Sequence, residues 1–268
     1  ADRRDDPLVL CGTGVGLRET VTMDFSPSLQ SSVIDGIDVL TDPLARTRGW
    51  LVAFTGRRGG VSNAPYDSLN LAARVGDAQE PVAENRRRAA SVVGFDGDRL
   101  ALARQVHEAD LIDVGVTDAG VLGNADGLTV THPGSVAAIL TADCAPVVVA
   151  SRGSIGVLHA GWRGLVAGVI EAGIESLGGA EAAWVGPCIH ACCYEVGPEV
   201  VEAFTERGLP VAAPDRVDPG QAAAAVLRGA GVSNVAVAEE CTHCDPRYFS
   251  YRRDGVTGRQ GAYAGLVP

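Results

Sequence analysis

The sequence is short of aromatic residues, of positive charge and of long apolar runs. Aromatic residues make up 5% of the 268 residues, so the core must be built mainly from Val, Leu, Ile and Ala. Apolar runs such as 136–140 and 146–150 are far shorter than the roughly 18 to 20 residues needed to cross a bilayer, so we expect no membrane span. The 22 Lys and Arg residues against 33 Asp and Glu give a net charge of −11, which disfavours binding to nucleic acid and to anionic membranes.

Cysteine is also scarce for a disulfide scaffold. The seven cysteines are an odd number in a long chain, so we expect free thiols or metal ligands. The N-terminus is charged early and lacks the apolar segment of a secretory signal, and we therefore predict a cytoplasmic protein. Because the only methionine is Met23, residues 1–22 are a candidate loosely attached N-terminal extension.

Apolar runs of strand length alternate with helical patterns along the rest of the chain. We predict strands at 51–55 and 100–106 and helices at 80–94 and 165–179. No repeat, low-complexity stretch or long linker interrupts this order, so we predict a single domain over 1–268. The order of elements predicts an α/β (α+β mixed) fold, a layered sandwich of mixed β-sheets flanked by helices.

Two histidines and one cysteine occupy similar places in this pattern. His107, Cys144 and His159 each lie where an apolar strand meets a loop, a position that suits active-site residues. Taken singly, each has an ordinary structural interpretation, since a buried Cys packs as a small hydrophobe. From spacing alone, two interpretations therefore stay open: a metal site made by these three residues, or three separate structural roles.

Several longer motifs carry a family resemblance from about Trp50 to the C-terminus. They are FTGRRGGVS, PYDSLNLA with the nearby VGD, NRRR, QVHEAD, LTADCAPVVV, VLHAGWRGLVAG, VGPCIHACCYEVG and FSYRRDGVTGRQGAYAGL. With these motifs the chain resembles the YfiH-like laccase-domain family. TADC, HAGWRG and SYRRDGxTGR in this order are highly specific.

The resemblance implies a reaction centre at the His of QVH, the Cys of TADC and the His of HAGWRG, which are His107, Cys144 and His159 here. It implies a purine nucleoside phosphorylase acting on adenosine, inosine and methylthioadenosine, with adenosine deaminase activity. The implied partners are a purine nucleoside and phosphate, in a monomer or homodimer. Two imidazoles and a thiolate suit zinc with one open position, and copper is the alternative metal.

Phosphorolysis also requires an anion site. Arg57 matches the arginine of the family's FTTRxGG pattern, although Gly56 replaces the second Thr, and Arg163 follows His159 at the start of a helix. Both are predicted phosphate or substrate contacts, and an arginine that holds a loop carboxylate is an equal alternative. Asn70 and Asp143 are further predicted contacts to ribose or to a ligand.

Four other interpretations stay open. A structural zinc site can be drawn from the later cysteines, which are Cys188, Cys192, Cys193, Cys241 and Cys244. A metal-free cysteine hydrolase would use Cys144 as nucleophile and His159 as base, with Asp143 orienting the histidine. Copper-dependent polyphenol oxidation, which older family annotation suggests, is disfavoured because five histidines and one methionine cannot supply multicopper centres. The last is a non-enzymatic, zinc-stabilised protein linked to the cell wall.

Overall fold

A computed structural model describes residues 25–267 of the chain. Met23 and the predicted extension over 1–22 lie outside the described residues. The prediction of one domain over 1–268 includes that segment and stays a prediction. None of the described helices is long and apolar enough to cross a membrane.

Strands outnumber helices in this part of the chain. The strands are β1 (Gln30–Ile34), β2 (Ile37–Thr41), β3 (Trp50–Thr55), β4 (Leu100–Arg104), β5 (Leu111–Val114), β6 (Gly120–Asn124), β7 (Gly127–Val130), β8 (Val136–Thr141), β9 (Ala145–Ser151), β10 (Ser154–Ala160), β11 (Ala182–Val185), β12 (Val211–Ala213), β13 (Arg216–Val217), β14 (Val235–Val237) and β15 (Gln260–Leu266). The helices are α1 (Pro43–Thr47), α2 (Gln79–Val93), α3 (Trp162–Ala167), α4 (Val169–Ser176), α5 (Pro198–Glu206), α6 (Pro219–Gly229) and α7 (Tyr251–Asp254), with a short 3-10 turn at Gly97–Arg99.

Two mixed sheets form the centre of the fold. The first has the strand order β1-β2-β3-β15-β8-β4-β6, and the second has the order β14-β11-β9-β10-β7-β5. Most neighbours are antiparallel, but β4 runs parallel to β8 and β6, β5 parallel to β7, and β11 parallel to β14. Strands β12 and β13 make a separate pair.

The two sheets pack face to face with helices outside them. Side chains such as Ile139 of the first sheet and Val157 and Trp184 of the second share one buried cluster between the sheets. Helix α2 covers the outer face of the first sheet, and α3, α4, α5 and α6 cover the second. The predicted layered sandwich is thus confirmed, in the order helix, sheet, sheet, helix.

The predicted helix at 80–94 is confirmed as α2. It ends where Gly94 adopts the left-handed conformation, with φ of 85°, and donates its amide to the carbonyl of Ala90. The single helix predicted over 165–179 is wrong. Two helices occupy this region because Gly168, with φ of 90°, closes α3 and precedes α4.

Candidate active site

His107, Cys144 and His159 come together at one edge of the two packed sheets. Their ligand atoms all lie within 4.8 Å of one another, although 52 residues separate the first from the last. His159 lies near the end of β10, Cys144 lies between β8 and β9, and His107 follows β4. Strands of both sheets therefore meet at this point: β4 and β8 belong to the first sheet, and β9 and β10 belong to the second.

The three side chains differ in exposure. The side chain of His159 is buried, Cys144 is half-buried and His107 is exposed. The imidazole rings of His107 and His159 meet edge to face, with their centroids 4.8 Å apart. One side of the site is thus enclosed by the sheets and the other is open to a ligand.

Asp126 organises both histidines, and sequence reasoning missed it. Its carboxylate is fully buried and accepts backbone hydrogen bonds from Val106, His107 and Glu108, at 3.0, 2.9 and 2.8 Å. These bonds hold His107 in the left-handed conformation, with φ of 65°, which a non-glycine residue seldom adopts. The only signal in the sequence was a single Asp before a strand, NADGL, which does not differ from an ordinary turn residue.

Asp126 also fixes the orientation of His159. The Asp126 carboxylate lies 2.7 Å from Nδ1 of His159, and the Asp126 carbonyl accepts the His159 backbone amide at 2.7 Å. In the neutral form of His159, a proton on Nδ1 would leave the Nε2 lone pair available to a metal. This is the carboxylate–histidine arrangement that supports histidine ligands in metal sites.

The electrostatics of the site favour a thiolate beside an imidazolium. Burial opposes ionisation of Cys144, but the charge of His159 and a hydrogen bond with His107 lower the thiol pKa to about 6. Burial likewise opposes protonation of His159, but Cys144 and Asp126 raise its pKa to about 9. Burial also opposes ionisation of Asp126, yet the bonds from His159 and from backbone amides lower its pKa to about 2.

Gly161 allows the chain to pass close to this site. A Cβ atom at Gly161 would lie 3.0 Å from Sγ of Cys144 and 3.3 Å from a ring carbon of His107. Any side chain would therefore crowd two of the three ligands. This close approach explains why the first residue of the GWRG motif is a glycine.

These residues fit a tetrahedral transition-metal ion. Two imidazoles and one thiolate are the donors, and the buried carboxylate of Asp126 holds one imidazole in the tautomer that a metal needs. His107, Cys144 and His159 would hold the ion. The donor set leaves a fourth position for a ligand, and it does not by itself distinguish zinc from copper.

The site opens into a cleft of about 640 Å³, a volume in the range that small-molecule sites occupy. Four arginines line the cleft together with the three candidate ligands: Arg74, Arg86, Arg104 and Arg259. Within residues 25–267, none of the four pairs with a carboxylate. Tyr251 and Val121, both exposed, contribute apolar surface to the same cleft.

The predicted contacts Arg57 and Arg163 lie elsewhere. Neither is among the residues that line this cleft. Arg57 pairs with Asp67 at 3.2 Å and Asp254 at 3.3 Å and covers the ring of Phe249, which is the loop-holding alternative raised from the sequence. Arg163 stacks on Trp162, with its guanidinium carbon 4.2 Å from the ring centroid.

Asn70 and Asp143 make contacts within the protein. Asn70 is fully buried, and its side-chain oxygen accepts the amides of Ala72 and Arg259, so it orders two segments that line the cleft. Asp143 accepts the Thr242 hydroxyl and the Arg252 amide, both at 2.7 Å. Its φ of 100° is also left-handed, directly before Cys144. A direct contact of either side chain with a substrate stays a prediction.

Comparison with known proteins agrees with this fold. Residues 51–267 match the family model described as multi-copper polyphenol oxidoreductase laccase. A purine nucleoside phosphorylase of Deinococcus radiodurans is 39% identical over 240 residues, which cover 84% of this chain and 93% of that protein. One of Pseudomonas aeruginosa is 40% identical over 228 residues, which cover 80% of this chain and 90% of that protein.

Solved structures show the same fold. The crystal structure of YlmD from Geobacillus stearothermophilus superposes with a TM-score of 0.82 at 31% identity, covering 90% of this chain and 100% of that one. The YfiH protein of Bacillus licheniformis gives a TM-score of 0.79 at 27% identity, covering 87% and 97%. The mixed two-sheet sandwich is therefore the fold that this chain shares with the YlmD and YfiH structures. The chain belongs to the laccase-domain family of YfiH-like proteins, and the predicted resemblance is confirmed.

Proposed function

We propose that this protein is a purine nucleoside phosphorylase that uses the site at His107, Cys144 and His159. Its substrates are adenosine, inosine and methylthioadenosine. Its products are the free purine base and the 1-phosphate of the sugar that carried the base. One observation carries the proposal: the three candidate ligands open into the same cleft as four arginines that have no carboxylate partner within residues 25–267. The relatives named purine nucleoside phosphorylase support it.

The arginines are suited to phosphate because they are cations in a chain of net charge −11. Burial lowers the pKa of both Arg86 and Arg259, so their guanidinium groups lack full hydration and gain from an anionic ligand. Arg74 and Arg104 are exposed at the same cleft and add to the positive potential. Phosphate held there is placed beside the floor of the cleft, where the three candidate ligands lie.

In phosphorolysis a phosphate oxygen forms the new bond to C1′ of the ribose while the bond from C1′ to N9 breaks. The electron pair of that bond goes to the purine, which then takes up a proton. The chain's part is to bind phosphate at the arginines and to hold the nucleoside in line with it. When bound, a zinc ion at the three ligands would supply a Lewis acid at the cleft floor.

The purine base needs an apolar surface, and Tyr251 provides one. Its ring is 62% exposed and lines the cleft next to Arg259. Stacking of a base on an aromatic ring is worth about 1–3 kcal/mol and tolerates different bases. We expect Tyr251→Ala to raise KM for adenosine about 5-fold to 150-fold, and Tyr251→Phe to keep the wild-type KM.

The proposal includes adenosine deamination at the same site, as the family resemblance implies. Deamination replaces the amino group at C6 with oxygen from water and releases ammonia, so it does not require phosphate. Phosphate therefore separates the two activities. Zinc as the resident metal, a cytoplasmic location, and a monomeric or homodimeric state belong to the same proposal.

A second candidate is a metal-free cysteine hydrolase, which one observation favours. Cys144, His159 and Asp126 form a sequence of thiol, imidazole and carboxylate, and the low pKa of Cys144 suits a nucleophile. The orienting acid in the structure is Asp126. It is not Asp143, which the sequence had suggested and whose carboxylate bonds to Thr242 and Arg252.

The test is to measure the metal content of the purified protein, incubate it with adenosine with and without phosphate, and identify all products. We expect adenine and ribose 1-phosphate only when phosphate is present, and inosine with or without phosphate. Equal adenine release without phosphate would contradict phosphorolysis. Full activity without stoichiometric metal, abolished by iodoacetamide, would favour the hydrolase, and copper-dependent phenol oxidation without nucleoside turnover would favour the oxidase.

A further inference from the structure

A second group of metal-ligating side chains lies outside the cleft. Cys192 and Cys193 belong to the loop after β11, and Cys241 and Cys244 belong to the loop after β14. Their four Sγ atoms all lie within 4.8 Å of one another, although about 50 residues separate the two pairs. Cys188, which the sequence grouped with them, packs instead in the apolar cluster beneath the helices of the second sheet.

One sulfur separation equals that of a tetrahedral thiolate site, and a second is shorter. With bonds of about 2.3 Å from zinc to sulfur, two ligands of a regular tetrahedron lie about 3.8 Å apart. Sγ of Cys244 lies 3.8 Å from Sγ of Cys192 and 3.2 Å from Sγ of Cys193. These distances are well above the length of about 2.05 Å of a disulfide bond.

The two loops are held together by backbone bonds that do not involve the thiols. Thr242 donates its amide to the carbonyl of Cys188 at 2.9 Å, next to a bridge between Cys188 and Cys241. Asp245 donates its amide to the carbonyl of Cys241 at 2.9 Å, which closes a tight turn around the Cys-Thr-His-Cys segment. The four sulfurs are therefore brought together by the main chain.

A backbone amide also points at one of the sulfurs. His190 donates its amide to Sγ of Cys241 at 3.4 Å. An amide that donates to sulfur stabilises negative charge on it, as a thiolate ligand requires.

Positive side chains flank the same loops. Arg216 donates to the carbonyls of Ala191 and Cys192, and Arg253 donates to those of Thr242 and His243. Four thiolates around a divalent ion carry a net charge of −2. Both guanidinium groups also pair with carboxylates, Arg253 with Asp254 at 2.9 Å and Arg216 with Glu195 at 3.6 Å, so they offset only part of that charge.

We propose that Cys192, Cys193, Cys241 and Cys244 bind a structural zinc ion. Four sulfur donors select zinc or iron over harder ions, and a set of four protein ligands leaves no position for substrate. The ion joins the loop after β11 to the loop after β14. Its ligands are separate from His107, Cys144 and His159, so a fully loaded chain holds two ions.

This second site is linked to the first through Thr242. Thr242 lies between Cys241 and Cys244, and its hydroxyl donates to the carboxylate of Asp143, the residue before Cys144. The carbonyl of Asp143 accepts the amide of Ile189 from the other loop at 2.8 Å. Zinc at the four cysteines thereby positions the backbone on which Cys144 is placed.

The first measurement needs no variant. Wild-type protein purified under reducing conditions is analysed by native mass spectrometry and elemental analysis, and we expect two zinc ions per chain. Isolation in the presence of an alkylating agent, followed by peptide mapping, shows whether Cys193 and Cys244 are cross-linked. No zinc, a cross-link between these two cysteines, or iron in place of zinc would each overturn the proposal, and so would a single zinc that the Cys244→Ser protein keeps.

Variants then place the second ion. We expect Cys244→Ser to lose one zinc, and Cys188→Ala, which removes a neighbouring cysteine outside the group, to keep both. Because Cys244 is exposed, its replacement creates no buried cavity. Two zinc ions in the Cys244→Ser protein would overturn the assignment.

Cobalt gives a readout that does not depend on activity. Protein reconstituted with Co²⁺ should show the intense thiolate-to-cobalt absorption of a four-sulfur site, and this absorption should be absent in Cys244→Ser and present in Cys188→Ala. The His107→Ala variant should keep it, because that substitution touches only the other site. An absorption that is lost with His107 and kept without Cys244 would overturn the proposal.

Discussion

Replacement of Asp126 by Asn tests the carboxylate that supports both histidines. In the native site one carboxylate oxygen faces the His107 amide and Nδ1 of His159, and the other faces the amides of Val106 and Glu108. Asn has one oxygen and one NH₂ group. In either orientation of the amide, an NH₂ group therefore faces two groups that donated to Asp126.

The size of the effect follows from these four bonds. Each buried donor left without an acceptor costs about 1–3 kcal/mol, so two such donors lower the free energy of unfolding by about 2–6 kcal/mol. Metal affinity falls as well, by about 10-fold to 100-fold, because His159 loses the partner that keeps Nε2 free. If His159 changes tautomer to accept from the new amide, Nε2 becomes protonated and the loss is larger.

The assay is a pair of titrations on wild-type and Asp126→Asn protein. Urea unfolding gives the difference in stability, and competition with a zinc chelator gives the difference in metal affinity. Asp113→Asn is the matched control, since Asp113 is exposed and its carboxylate accepts one bond, from the Thr129 hydroxyl at 3.2 Å. Wild-type stability and wild-type zinc affinity in Asp126→Asn would refute the assigned role.

Three further predictions concern the cleft and its ligands. Gly161→Ala places a methyl group against Sγ of Cys144, so we expect nucleoside turnover to fall at least about 10-fold with the protein still folded. Gly229→Ala is the control, because a Cβ atom there meets no atom within 4 Å, and it should match the wild-type turnover in the same assay. Arg104→Gln removes a cleft cation and should raise KM for phosphate several-fold, measured at fixed adenosine; Arg228→Gln, an exposed charge on α6, should not. Removal of metal by a chelator should abolish phosphorolysis, and added zinc should restore it; activity that survives complete removal would contradict a metal-dependent reaction.

Much of the fold could be predicted because its elements have strong local signals. Helix α2 has a clear apolar period and ends at a glycine, and strands such as β8 and β9 are continuous apolar runs. The break at Gly168 was missed because a glycine inside an apolar helical period resembles one that packs against a neighbour. Its left-handed conformation depends on how α3 and α4 pack on the second sheet.

The candidate ligands could be found, but their supporting residues could not. His107, Cys144 and His159 stand out as rare residue types at strand ends, and the family resemblance selected the same three. Asp126 acts through contacts that exist only after β4, β7 and β10 are assembled. No spacing rule connects it to histidines 19 and 33 residues away.

The four arginines of the cleft could not be selected from the sequence for a similar reason. Arg57 and Arg163 lie in distinctive motifs and contact protein groups outside the cleft, and a contact of either with phosphate stays a prediction. Arg74, Arg86 and Arg259 come from three separate segments that meet only in the folded protein. A motif shows which residue is unusual, whereas the folded cleft shows which arginines have no carboxylate partner among the described residues.

The central claim is that His107, Cys144 and His159 form the reaction centre for phosphorolysis. The most direct measurement is phosphate-dependent adenine release by His107→Asn protein, because the His107 side chain is exposed and Asn tolerates the left-handed backbone at this position. His132→Asn, at an exposed turn, is the matched control. We predict that the His107 variant melts close to wild type, that its adenine release falls to the uncatalysed rate, and that the control keeps full activity; a folded His107→Asn protein that still releases adenine at the wild-type rate would contradict the account.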